Sequence, residues 1–334
     1  MATAGLKLDD NKSLPFTPNS VKLSAIMTQR IPDNIVRPLN ALTFDVEDYF
    51  QVAAFDAAID RNSWDRLPLR VEKNTLLLLE LLARHQVKAT FYILGWIAEK
   101  VPGLVREIAE CGHEVACHGY GHKLVYHQSP QEFRDETRRS KRILEELIQA
   151  PVSSYRAASY SITRESLWAL EILAEEGFTT DSSIFPIRHD RYGLKGGPRQ
   201  PHLVRLPSGR QLLEFPISTI RALGVYLPVS GGGYFRLYPY RLSRYLARRI
   251  NAGGQPFVFY LHPWELDPEQ PRIENVGPLT RFRHYNNLRR CHARLNRLLC
   301  DFSFSTVSES IRADYPDLDR LPVHCYGEYR LASA

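Results

Sequence analysis

From Asn40 onward, short apolar runs that end in polar, chemistry-bearing residues alternate with amphipathic stretches of helical period, and this alternation constrains the fold more than any other feature of the chain. Ala41–Val46 reads as a buried strand that runs into carboxylates, and Lys88–Leu94 is apolar and β-rich. Glu114–Cys117 is a short strand that runs into His118, and Phe257–Leu261 is a strand that runs into His262. Between them lie helical patterns. Val71–Arg84 is leucine-rich, Leu104–Glu110 stops at Cys111–Gly112 where glycine suits the C-cap, Gln131–Gln149 is long and charged, and Leu167–Glu176 ends at Gly177. Strands and helices alternating at this spacing predict a parallel sheet covered by helices. Sites in such folds gather at the C-terminal ends of the strands, where Asp45, His118 and His262 stand.

Residues 1–38 are punctuated by Pro15, Pro18, Pro32 and Pro38 and sustain no period, so they are expected to be a loosely attached lead. The ordered domain is expected over 39–305, with 306–334 as a tail. Pro186–Arg236 is rich in Gly, Pro and Arg and is expected to hold loops or a short β-excursion, with Ser230–Tyr234 either a tight turn or a substrate-facing loop. The net charge of +6 is too modest to require an anionic partner. The densest basic stretch, Arg281–Arg297, mixes Arg with His, Asn and Leu and reads as a solvated helix face rather than a nucleic-acid patch. Five scattered cysteines without a C-x-x-C pair form no disulfide framework and suggest a reducing compartment. No apolar leader opens the chain and no run approaches ~18 apolar residues, so a cytoplasmic protein without a transmembrane segment is expected.

Three carboxylates, Asp45, Glu47 and Asp48, stand within four residues at the end of an apolar strand. Either they lie in a solvated loop or something positive binds them, because burying them unpaired is costly. His118 and His122 are four apart with Gly119 and Gly121 between them, which favours a loop over a helix. Two imidazoles and a strand-end carboxylate make a plausible three-ligand site that leaves a position open for water. His113–Cys117 misses the H-E-x-x-H zinc-protease pattern at its fifth position and looks strand-like. The chain has no G-x-S-x-G elbow, no P-loop and no G-x-G-x-x-G fingerprint, which disfavours a serine hydrolase, an NTPase and a Rossmann dehydrogenase.

Taken in order, from about Asn40 to Thr306, these segments resemble the polysaccharide deacetylase family, the NodB-homology or carbohydrate esterase family 4 enzymes. Thr43–Asp48 looks like the family's T-F-D-D motif with Val46 intervening, so the metal carboxylate is Glu47 or Asp48. His118–His122 looks like its H-[ST]-x-x-H motif with Gly119 in the Ser/Thr place. Arg156 matches the Arg of an R-x-P-[FY]-type motif whose Pro is here Ala158, and Asp181 and His262 resemble the Asp and His of the last two motifs. The texture of Asp45–Val52, Asp181–Pro186, Gly232–Arg236 and His262–Glu265 is similar to a subgroup associated with exosortase (PEP-CTERM) exopolysaccharide loci.

The resemblance implies an α/β fold, a distorted (β/α) barrel with a short C-terminal extension. It also implies a metal-dependent N-deacetylase acting on an exopolysaccharide or a lipid-linked precursor, with peripheral membrane contact in the second case. His118, His122 and Glu47 or Asp48 would hold a divalent ion, expected to be Zn²⁺. Asp45 would act as base, Arg156 would keep it ionised and aimed, and His262 would act as acid, held protonated and oriented by Asp181. A backbone N–H near Tyr160 would help stabilise the oxyanion. The alternatives are a metal-independent amide hydrolase on the same fold and a non-catalytic glycan-binding relative.

Overall fold

The computed structural model describes residues 38–187, 192–222 and 225–326. The expected lead, apart from Pro38, lies outside them. The strands are β1 (Asn40–Val46), β2 (Thr90–Ile93), β3 (Glu114–Cys117), β4 (Ser154–Tyr155), β5 (Thr180–Asp181), β6 (His202–Arg205) and β7 (Gln211–Glu214), then β8 (Thr219–Ala222), β9 (Val225–Pro228), β10 (Val258–Leu261), β11 (Phe304–Ser305) and β12 (Val323–His324). All but β8 and β9 join one sheet in the order β10-β1-β2-β3-β4-β5-β7-β6-β12, with β11 also beside β1. Every pairing in it is parallel except β6 with β7.

Strand periodicity sorts the side chains into two layers. Leu42, Phe44, Val46, Phe91, Ile93, Cys117, Phe259 and Leu261 pack with helix residues such as Leu78, Leu82, Ile108 and Leu144. Their alternates Ala41, Tyr92, Ala116, Val258 and Tyr260 form a second cluster together with Leu203 and Leu213 from the far end of the sheet. Side chains of β10 and of β6 can meet there because the sheet curls round, which makes the α/β fold a distorted barrel. Thr43, Asp45, His118 and His262 fall on the inward parity.

The expected helices form with boundaries shifted by only a few residues: α1 (Val71–His85), α2 (Gly95–Lys100) with α3 (Pro102–Glu110), α4 (Pro130–Ile148) and α5 (Trp168–Glu175). Further on come α6 (Gly232–Leu237), α7 (Tyr240–Ala252), α8 (Pro278–Tyr285), α9 (Leu288–Asp301) and α10 (Val307–Asp314). The arginine-rich stretch is α8 and α9. In α9, Leu288, Cys291, Leu295, Leu298 and Leu299 form the buried stripe while Arg289 and Arg290 face solvent. Ser230–Tyr234 is pinned to β10 and runs into α6, with Gly233 and Tyr234 lining a pocket. Gly231, at φ 125°, bridges to Tyr260, and a Cβ there would stand 1.9 Å from the Tyr260 carbonyl oxygen.

Residues 306–326, expected as part of a tail, are instead integral to the barrel. Val307 and Ile311 of α10 join the inner cluster. Val307 N–H donates to Thr90 Oγ1 at 2.8 Å, and Ser308 Oγ donates to Glu114 Oε1 at 2.5 Å. Thr90 and Glu114 begin β2 and β3, so α10 closes the end of the barrel opposite the strand C-termini. The reason is local: Thr306 accepts from Glu309 N–H as an N-cap, and the apolar pair at i and i+4 faces inward.

Candidate metal centre and its surroundings

Period two on β1 aims Thr43 and Asp45 into the barrel mouth. Glu47 follows just beyond the strand, and His118 and His122 come from the loop after β3. Left-handed backbone at Gly119 (φ 74°) and His122 (φ 51°) folds that loop back on itself. One donor atom from each of Glu47, His118 and His122 lies within 4.8 Å of the others, and all three residues are buried.

These donors suit a divalent cation. His118 Nδ1 lies 2.7 Å from the Arg156 carbonyl oxygen, which only accepts, so Nδ1 carries the proton and Nε2 keeps its lone pair. Burial pulls the His118 imidazole down to about 4, so it is neutral at neutral pH. His122 Nε2 stands 2.8 Å from Glu47 Oε2, and His122 Nδ1 is buried without a hydrogen-bond partner. An orphaned buried atom of this kind calls for an ion or water nearby. Burial raises the Glu47 carboxyl, but the charges of His122 and His262 outweigh it and hold the group below the usual carboxylate range.

Asp48, the alternative ligand, is turned away. Its Oδ2 accepts from the N–H groups of Arg70 (2.7 Å) and Val71 (2.9 Å) at the start of α1, and its Oδ1 accepts from Tyr49 N–H at 2.8 Å. The residue inserted at Val46 puts Glu47, not Asp48, on the inward parity.

Asp45 is held by Arg156, which follows β4 and is fully buried. The Nη1 group of Arg156 donates to Asp45 Oδ1 and to Thr43 Oγ1, both at 2.7 Å, and its Nη2 donates to Ser182 Oγ at 3.0 Å. Its Cζ lies 4.1 Å from the Tyr92 ring centroid, so the face of the cation is covered as well. The Asp45 carboxylate is therefore fixed in place.

His262 enters from the end of β10, beside β1 in the sheet. Its Nε2 is 3.2 Å from Glu47 Oε1 and 3.9 Å from Asp45 Oδ2. Burial pulls its pKa down, but Glu47 and then Glu265 outweigh that and raise it to about 9.

Asp181 does not join this group. It sits on β5, with β1, β2, β3 and β4 between it and β10. Its carboxylate accepts from Ser183 Oγ at 2.6 Å and faces Glu214, its register partner on β7. Burial, then the Asp181 charge, raises the Glu214 carboxyl well above its ordinary value, so the pair shares a proton. The residue that does meet His262 is Glu265, with Oε1 2.8 Å from Nδ1. Its signal was present as H-P-x-E, the spacing of a capping box with Pro at the first helical position. A backbone N–H near Tyr160 is expected at the oxyanion; the N–H of Tyr160 itself donates to the Ala157 carbonyl at 3.0 Å. Ser159 (φ 50°) and Tyr160 (φ 54°) are consecutive left-handed residues there, the kind of strain that clusters at sites.

A pocket of about 430 Å³ opens beside Tyr260 and Ser159, and Tyr192, Tyr234, Phe282 and Arg283 line its wall.

The polysaccharide deacetylase family model matches residues 41–179. This stretch, under half of the chain, is similar to that family. A model described as a domain of unknown function (DUF3473) matches residues 182–312. The chain is 35% identical over 95 residues to a peptidoglycan-N-acetylglucosamine deacetylase of Bacillus cereus, covering 28% of this chain and 34% of that protein. It is 30% identical over 96 residues to a chitooligosaccharide deacetylase of Bradyrhizobium sp., covering 29% and 42%. The matches thus span well under half the length of either relative. In fold, the chain is similar to a putative polysaccharide deacetylase from Mycobacterium smegmatis (TM-score 0.54, 19% identity, 85% of this chain and 92% of that one). It is also similar to Puue allantoinase (TM-score 0.53, 14% identity, 86% and 93%).

Proposed function

We propose that the protein hydrolyses N-acetyl groups on a glycan, releasing acetate and leaving a free amine. The observation that carries this reading is the convergence of three metal-type ligands, Glu47, His118 and His122, with Asp45 and His262 beside them. The names of the curated relatives support the same chemistry.

A divalent ion held by Glu47, His118 and His122, which we take to be Zn²⁺, would polarise the acetamide carbonyl and acidify a water. Asp45, aimed by Arg156, accepts the proton of the attacking water. The water oxygen bonds to the carbonyl carbon and the carbon–nitrogen bond breaks. The departing nitrogen takes a proton from His262, which the Glu265 carboxylate faces at Nδ1. The aromatic pocket beside Tyr260 would lodge the sugar ring, with Tyr192, Tyr234 and Phe282 as stacking surfaces.

The substrate class we propose is a bacterial exopolysaccharide or its lipid-linked precursor, handled in the cytoplasm. No helix among the described residues is long and apolar enough to cross a membrane. Leu237, Leu279 and Phe282, large and exposed at the rim of the pocket, would meet a lipid-borne substrate at the membrane surface.

Acetate release from N-acetylated oligosaccharides, measured with chelator and then with added Zn²⁺, tests the reading. Release that stops with chelator and returns with metal is expected. Release that chelator does not touch would favour a metal-independent amidase, and glycan binding without release a binding protein.

A further inference from the structure

Glu265 and Arg236 both lie in the segment matched only as a domain of unknown function, and neither touches the metal ligand set. Both are buried, at 0% and 1% exposure, where an unpaired charge would be strongly disfavoured. Each oxygen of Glu265 has its own task. Oε1 accepts from the His262 backbone N–H at 3.1 Å and lies 2.8 Å from His262 Nδ1, while Oε2 accepts from Arg236 Nε at 2.5 Å. Because a carboxylate only accepts, His262 must carry a proton on Nδ1, which turns Nε2 toward Glu47 and Asp45. The remaining donors of Arg236 reach backbone: Nη1 donates to the carbonyls of His284 (2.8 Å) and Asn286 (2.6 Å), and Nη2 to that of Arg283 (3.0 Å). Trp264 covers the ring, stacked on His262 at 5.1 Å and 20°, and its Nε1 donates to Glu47 Oε1 at 3.2 Å.

We infer that Glu265 and Arg236 are a positioning pair: the Arg236 guanidinium fixes the Glu265 carboxylate, and that carboxylate fixes the tautomer and ring orientation of His262. The second matched segment therefore supplies the acid half of the active site, and it also supplies part of the pocket wall, since Arg236 holds the backbone at Arg283 and Asn286. The inference rests on the deacetylase reading for its catalytic consequence but not for its geometry. Without Glu265 the imidazole can flip or change tautomer, and Nε2 no longer faces the leaving nitrogen.

Two measurements on the full chain test it. In metal-free protein, ¹H–¹⁵N spectra should show an exchange-protected His262 Nδ1–H resonance that is missing in His262→Ala. The resonance should move upfield in Glu265→Gln, because a neutral acceptor makes a weaker bond than a charged one. Absence of the resonance from the wild type, or an unchanged resonance in Glu265→Gln, overturns the inference whatever the activity. In acetate-release kinetics on the metal-loaded protein, Glu265→Gln should lower kcat roughly 10- to 100-fold with KM and metal content unchanged, within what a general acid contributes. The same substitution in a His262→Ala background should cost nothing further. A loss that multiplies with His262→Ala would make the pair merely structural. Arg236→Lys should retain more kcat than Arg236→Met, and an equal loss in both would count against the guanidinium's part. If the wild type releases no acetate, the deacetylase reading fails and the resonance alone decides the positioning pair.

Discussion

Glu47 and Asp48 are neighbours that face opposite ways, and only their parity separates them. Glu47→Gln should lose the bound metal, as measured by elemental analysis after dialysis. Asp48→Asn should keep the metal and instead cost about 1 kcal/mol of stability by weakening the start of α1, seen as a lower urea midpoint. Asp45→Asn should lower kcat by roughly 10²- to 10⁴-fold with metal content unchanged, as expected for loss of a general base. Near-normal activity in that variant would remove Asp45 from the mechanism. Asp45, His118 and His262 were legible in the sequence because each stands at the end of an apolar strand or just past it, and strand ends are where sites form. The partner of His262 was legible only as a local spacing. Asp181 has the residue type the resemblance asks for but stands on the wrong strand, while Glu265 stands in the H-P-x-E spacing that also reads as a plain capping box.

At the level of elements, β1 organises the centre, with β10 and β2 flanking it and β11 at its start. The strand and helix order could be read from periodicity alone, since Leu42, Phe44 and Val46 alternate with Ala41, Thr43 and Asp45. The role of residues 306–326 could not, because α10 is short and its apolar residues mark no long stripe. Its partners, Thr90 and Glu114, lie more than 190 residues away in sequence. Ile311→Ala, in the closed end of the barrel, should cost about 2–5 kcal/mol in urea unfolding. It should leave the KM for a soluble glycan unchanged, because the site lies at the opposite strand ends. A raised KM with unaltered stability would contradict that placement.

Across the whole molecule, protons should set the stability window. Burial pulls His113 and His202 down to about 4 and His284 to about 3, so all three are neutral in the fold near neutral pH. Each is protonated in the unfolded chain below about 6.5. Their contribution is complete above that pH and is lost as pH falls toward 4, so the urea midpoint should drop through this range. His113→Gln should flatten the fall, and an equally steep fall in that variant would discount His113. Glu214 acts with the opposite sign. Its carboxyl is raised in the fold, so its contribution is present below its ordinary value near 4.5 and fades as pH rises. Glu214→Gln should therefore stabilise the protein more at pH 8 than at pH 4.5.

The boundary between the two matched segments, at residues 179 and 182, crosses a continuous sheet: β4 pairs with β5, β5 with β7, and β10 returns to lie against β1. The halves are therefore not exchangeable modules. Each would present a raw sheet edge and half a core if made alone, and neither could be traded for a foreign counterpart without rebuilding the seam along β1.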